Sequence, residues 1–152
     1  MNDLIISHNK AEYPPMHTAE HVLNQTMHRF FACGRSFNAH IERKKSKCDY
    51  HLSTEPTPEQ LEAVEAAVNA QIARNLEVRI AFVERSEIPA EVDLSKLPDY
   101  VDDRVRLVYV GDYDICACIG DHVRNTSEIG TFKIISSDYA DGRLRLRFKL
   151  LE

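Results

Sequence analysis

The chain has 152 residues, 43% of them hydrophobic and 28% charged, with a net charge of −5. That size and balance predict one globular domain, 1–152, with room for a sizeable core. The negative balance argues against DNA or broad nucleic-acid binding, yet leaves room for a local basic patch that holds one end of an RNA. No apolar run has membrane-spanning length, and the start, Met1 to Ile6, lacks the basic-then-apolar pattern of a secretory leader. A cytoplasmic protein with no membrane partner is expected. In that compartment Cys33, Cys48, Cys116 and Cys118 are thiols or metal ligands rather than disulfides.

Residues 4–8 read as a short strand and 9–15 as a proline-containing lead. Ala19, Val22, Leu23, Met27, Phe30 and Phe31 recur at helical spacing, which predicts a helix from Met16 to Phe31 with that stripe buried. His17, His21, Asn24, Gln25 and His28 fall on its more polar side. Pro14 and Pro15 suit a helix start, and Gly34 suits the residue just past its end. Two strands follow, 36–43 and 47–53, joined near Lys44-Lys45-Ser46. Arg43, Lys44, Lys45 and Lys47 form the strongest basic cluster in the chain. Such a run is commonly a solvated hairpin tip; contact with phosphates is the alternative.

Thr57-Pro58-Glu59-Gln60 is a helix start, with Thr57 as cap, Pro58 in the first turn and Gln60 closing a capping box. Leu61, Val64, Val68, Ile72 and Leu76 continue it at helical spacing, leaving Glu62, Glu65 and Arg74 in water. A strand is predicted at 77–84, where Val78, Ile80 and Phe82 alternate with Glu77 and Arg79. Ser86 to Asp99 is a connection with one short helical turn. The last third reads as strands at 104–110, 113–118, 130–137 and 143–150. In the last of these Leu144, Leu146, Phe148 and Leu150 point one way. Arg143, Arg145, Arg147 and Lys149 form the wet side. The fold class is α+β, a largely antiparallel sheet wrapped around a central helix.

Two short motifs carry chemistry. His17 and His21 stand four residues apart on one helix face, a spacing that offers two imidazoles to one metal ion. Cys118-Ile119-Gly120-Asp121-His122 supplies a second pair of soft ligands, past a glycine that permits a tight turn. Together they make a tetrahedral three-histidine, one-cysteine set suited to Zn2+, one per chain. His28 lies about three turns from His17 and is too distant to join them. The run His17-x-x-Glu20-His21 also spells the inverted zinc-protease motif, with Glu20 as general base. The chain is small for such an enzyme, and the cysteine-containing pair would then go unexplained.

His17-Thr18-Ala19-Glu20-His21-Val22-Leu23, then Cys118-x-Gly120-x-His122-Val123, Thr126 and Glu128-Ile129-Gly130-Thr131-Phe132-Lys133-Ile134, resembles the editing domain of alanyl-tRNA synthetases. It is similar also to free-standing AlaX trans-editing proteins and to the editing region of threonyl-tRNA synthetases. The Thr57-Pro58-Glu59-Gln60 helix and the Val105-Arg106-Leu107-Val108 strand look like the same pattern, so the resemblance runs from about 16 to 150. It implies the common editing-domain fold, and an ATP-independent hydrolase. Its substrate would be an aminoacyl-tRNA carrying a small wrong amino acid, such as serine on alanine or threonine tRNA. It implies zinc on His17, His21, Cys118 and His122, and the aminoacylated acceptor end of tRNA as partner, with Arg43, Lys44, Lys45 and Lys47 available for its phosphates.

This chain departs from the family at Cys116, where an acidic residue is usual. Residues i and i+2 of a strand face the same way, so Cys116 is expected to line the pocket that Cys118 faces. Asp121, where threonine or proline is usual, is a second candidate pocket residue. Ser127 replaces a common glycine. The competing functional reading is a non-catalytic zinc-binding module that binds a tRNA end or a protein partner.

Overall fold

A computed structural model describes residues 13–94 and 104–151. Its elements in order are α1 (Pro14–Phe31), β1 (Asn38–His40), β2 (Ser46–His51), α2 (Pro58–Ile72), β3 (Val78–Glu84), β4 (Arg104–Val110), β5 (Asp114–Ala117), β6 (Thr131–Ala140) and β7 (Arg143–Leu151). Short 3-10 turns lie at Arg85–Glu87 and Thr126–Glu128. The fold is α+β, and its strands divide between two antiparallel sheets, β1-β2-β7-β6 and β3-β4-β5. The strand predicted at 4–8 lies outside the described residues.

α1 holds the two sheets' cores in relation. Met16, Ala19, Val22, Leu23 and Met27 are fully buried and pack with Tyr50, Leu144, Leu146 and Phe148 of the four-stranded sheet and with Val64 and Val68 of α2. A smaller cluster of Val92, Val105, Leu107 and Ala117 fills the space under the three-stranded sheet. The helix ends at Phe31 because Ala32 adopts a left-handed conformation (φ 53°), with its N–H donated to the His28 carbonyl at 2.7 Å. Ala32 thus does the work expected of Gly34. Phe30, expected in the buried stripe, is 44% exposed, since the last turn runs past the layer that covers Leu23 and Met27.

α2 starts as its sequence requires. The Thr57 side chain accepts from the Gln60 N–H, and the Gln60 side chain accepts from the Thr57 N–H, closing the capping box. Val64, Val68 and Ile72 are buried. Glu65 is not left to water as expected: its carboxylate accepts the Ile134 N–H at 2.7 Å. Asn69 exchanges two hydrogen bonds with the Phe132 backbone, at 2.8 and 2.9 Å. β6 is a sheet edge, and these side chains satisfy backbone groups that would otherwise be open to another chain.

Two strand faces differ from the expected pattern. Ile80 and Phe82 are 46% and 57% exposed, so β3 turns Ala81 and Val83 toward cover instead. The arginine row on β7 is paired rather than merely solvated. Arg145 grips Asp49 with two hydrogen bonds, at 2.8 and 3.0 Å, while Arg143 and Arg147 share Asp138.

Leu23 lies at the centre of the α1 contact with no exposed surface. Leu23→Ala should lower the unfolding free energy by roughly 2–5 kcal/mol, as buried leucine truncations do. Urea denaturation at constant m-value measures it. A change near zero would mean that this face of α1 is not the packed one.

Candidate metal centre

α1 presents His17 and His21 on one face because residues four apart stand one above the other. Opposite them, β5 ends at Ala117, and the chain turns through Cys118 to His122. Gly120 takes φ 107°, in the left-handed region that favours glycine. The structure brings the four side chains together: one ligand atom from each of His17, His21, Cys118 and His122 lies within 4.8 Å of the other three. Cys118 Sγ is 3.4 Å from His17 Nε2 and 3.6 Å from His122 Nε2. Tetrahedral zinc with nitrogen and sulfur donors requires ligand separations of roughly 3.3–3.8 Å, so these edges already have the right length. The group could hold a metal ion.

Outer contacts aim the rings. His17 Nδ1 donates to the Asp121 backbone carbonyl at 3.0 Å, which leaves Nε2 with its lone pair toward Cys118. His122 Nδ1 lies 2.9 Å from Thr18 Oγ1, and the same hydroxyl oxygen accepts the Val123 N–H at 3.2 Å. Thr18 therefore ties the helix to the ligand turn. Arg106 of β4 clamps that turn from the other side, donating to the Cys118 and Gly120 carbonyls at 2.8 Å each. Below it, the Thr126 hydroxyl joins the end of α2 to the following turn. It donates to the Ile72 carbonyl at 3.0 Å and accepts from the Leu76 N–H at 2.8 Å.

The protonation states suit a ligand set. Burial holds His21 well below the ordinary imidazole range, and the neighbouring His122 and His17 add to the effect. Burial, then His17 and Arg106, push His122 down to about 2. Both are therefore neutral imidazoles, the ligating form. Cys118 is raised well above the usual thiol range by the Cys116 thiol beside it and by burial, so an ion that binds here must displace its proton.

Cys116 borders two adjoining cavities that share Asn24, Arg35, Asp93 and Ala117 in their walls. The one beside the cluster, about 220 Å³, is lined also by Glu20. The other, about 490 Å³, continues along α1 to His28 and Tyr113. Asp121 is exposed and lines neither cavity; its contribution to the site is its backbone carbonyl. The basic tip stands near the start of α1, where the Arg43 guanidinium lies 4.7 Å from the centre of the Tyr13 ring. His28, left without a role by the sequence, accepts the Gly34 N–H at 3.0 Å.

Sequence reasoning missed Thr18, Arg106, Asp114 and Arg35. Thr18 sits beside His17 in the motif, but helical periodicity gives no reason for its hydroxyl to face the turn. Arg106 alternates like a solvated strand residue, and its carbonyl partners lie 12 and 14 residues away. Asp114 and Arg35 form an ion pair across 79 residues, which no local pattern announces.

The family described as the threonyl and alanyl tRNA synthetase second additional domain matches residues 105–147, a stretch that contains Cys118 and His122. The chain is 37% identical to the alanine–tRNA ligase of Geobacillus kaustophilus over 123 residues, which make up 79% of this chain and 14% of the ligase. It is 33% identical to that of Ligilactobacillus salivarius over 130 residues, 85% of this chain and 14% of the ligase. With that of Borreliella burgdorferi it shares 28% over 135 residues, 88% of this chain and 23% of the ligase. The chain thus spans a small part of the length of these relatives.

The buried imidazoles make stability depend on pH in a defined direction. His21 and His122 stay neutral in the folded metal-free protein but take up protons near pH 6.5 when unfolded. Below about pH 6.5 the unfolded chain binds more protons, so stability falls as the solution is acidified. Urea midpoints of metal-free protein should decline steadily from roughly pH 7 to roughly pH 5. A midpoint that rises over that range would contradict the neutral assignments.

Proposed function

Because the chain belongs to the editing-domain family of alanyl- and threonyl-tRNA synthetases, we propose that it hydrolyses the ester between a small wrong amino acid and the terminal adenosine of a tRNA, with serine the first candidate. We propose that it acts as a single trans-editing domain, without ATP, in the cytoplasm. The observation that carries the reading is the convergence of His17, His21, Cys118 and His122 beside a cavity of about 220 Å³.

Zinc, one ion per chain, is the metal that the three-nitrogen, one-sulfur donor set suits best, and when bound it would supply a fixed positive charge at the cavity mouth. Four protein donors fill a tetrahedral shell, which favours orienting the substrate over generating hydroxide. The chain's own groups then do the positioning. An aminoacyl ester is activated, so holding it and one water in a reactive geometry supplies much of the rate. The small cavity admits a short side chain, since the floor is the rigid face of α1. Its walls carry the carboxylates of Glu20 and Asp93, matched to the ammonium group of an unblocked aminoacyl ester. Cys116 lines the same wall, where its side chain sets the cavity's width. The adjoining cavity of about 490 Å³ has room for the nucleoside that carries the ester. Arg43, Lys44, Lys45 and Lys47 are the basic groups we assign to the acceptor phosphates, a reading supported by the position of Arg43 against Tyr13 at the start of α1.

Purified protein should contain one zinc per chain by elemental analysis and should deacylate at least one member of a panel of mischarged tRNAs. Cys118→Ala should abolish both metal and hydrolysis. Cys116→Ala should keep the metal and lower the rate. If the zinc-loaded protein leaves every ester intact while retaining tRNA on a filter, the non-catalytic module is the correct reading.

A further inference from the structure

Asp114 opens β5 and is 2% exposed, and nothing said so far of the cluster gives it a function. Three donors fix it. Arg35 Nη1 donates to Oδ1 at 2.8 Å and Arg35 Nη2 to Oδ2 at 3.1 Å, while Gln25 Nε2 donates to Oδ1 at 3.0 Å. The pair joins a buried carboxylate to a half-buried arginine and is weak support for stability, because desolvation of the carboxylate offsets the Coulomb gain. Oδ1 accepts two of these bonds and Oδ2 only one, and Oδ2 lies 3.6 Å from His21 Nδ1. That nitrogen is buried and has no hydrogen-bond partner among the described residues.

The other two histidines of the cluster show what is missing. His17 Nδ1 has the Asp121 carbonyl and His122 Nδ1 has the Thr18 hydroxyl, each directing Nε2 inward. His21 faces a carboxylate that stops roughly 0.7 Å short of hydrogen-bond length. We propose that Asp114 is the positioning residue for His21: its carboxylate accepts the Nδ1 proton, locks the ring and presents the Nε2 lone pair to the metal. The inference rests on the reading above that the cluster holds zinc. Asp114 touches neither metal nor substrate; it acts through His21, and Arg35 and Gln25 act through Asp114. An acceptor of this kind fixes the tautomer of a ligating histidine and raises its basicity.

The test uses the 152-residue chain loaded with zinc. Long-range proton–nitrogen NMR of the wild type should show His21 protonated on Nδ1 and metal-bound through Nε2. Chelator competition should show Asp114→Asn binding zinc about 10- to 100-fold more weakly. The double variant R35M/D114N removes both charges and so leaves no unpaired ion in the interior; it should stay folded by circular dichroism and show the same loss. Arg35→Met alone, which keeps the carboxylate, should lose less affinity than either. If the pair were only structural, the folded variants would bind zinc within about twofold of the wild type. That result, or a wild-type His21 protonated on Nε2, would overturn the inference while leaving the zinc reading intact. A wild type that binds no zinc at all would instead remove the reading on which it rests.

Discussion

One helix has to bury two faces of opposite chemistry, and the rest of the structure follows from how that is met. The apolar face of α1 closes on the four-stranded sheet and α2, where Leu23 and Met27 have no exposed surface. The other face meets the end of β5. Positions i and i+4 of a helix are about 6 Å apart along its axis, and positions i and i+2 of a strand about 6.6 Å. A histidine ladder and a strand ladder can therefore run side by side over several steps without losing register. Here they run in opposite directions: His17 meets Cys118 at one end, and Gln25 meets Asp114 at the other. Shifting β5 by one residue would turn Cys116 and Asp114 away from the helix, so the strand's register and the site's geometry are one constraint.

Burying a polar face is tolerable only if its groups are paired, and the pairings here are what join distant parts of the chain. Asn24, 3% exposed, accepts from the Tyr50 hydroxyl at 2.6 Å and from the Ser36 N–H at 3.2 Å, tying α1 to β2 and to the loop before β1. Thr26 meets the Tyr113 hydroxyl at 2.7 Å, beside the start of β5. Thr18 and Arg106 hold the ligand turn from two sides. These bonds are buried and geometrically specific, so they define where the turn sits more sharply than apolar packing could. Within this frame the cluster is compact: its three imidazoles stand with ring centres 4.0 to 5.0 Å apart.

Much of this was legible in the sequence because it is written in local periodicity. The capping box at Thr57, the alternation in β7 and the two ligand motifs each occupy fewer than ten consecutive residues, and each produced the element it announced. What could not be read was chosen by tertiary contact. Nothing local distinguishes Glu65, which caps an edge strand, from Glu62, which faces water. Ile80 and Phe82 alternate as a buried face would, yet the covering layer lies on the other side of β3. Ala32 ended α1 ahead of the glycine because the left-handed turn falls where the packed face of the helix runs out. The same limit hid the Asp114–Arg35 pair, whose members carry meaning only once α1 and β5 are side by side.

The placement of the charges bears on how such a site could discriminate between substrates. Under the proposed function, a metal held by four protein side chains would leave little room for choice at the ion, and selectivity would fall to the cavity walls. Those walls combine the helix face, which cannot yield without disturbing Leu23 and Met27, with the thiol of Cys116 and the carboxylates of Glu20 and Asp93. A rigid apolar wall separates side chains that differ by one methylene only modestly, by about 1–3 kcal/mol. A larger factor is available where a buried polar group would be left unpaired by the wrong occupant. Glu20, half-buried in the cavity wall, has a weaker form of this property, since the hydrogen bond it accepts from Asn24 is a long one, at 3.4 Å. A ligand that brings a hydrogen-bond donor to that carboxylate gains what an otherwise similar ligand without one cannot. The helix that supplies two of the proposed metal ligands therefore also supplies the polar side chain best able to tell ligands apart.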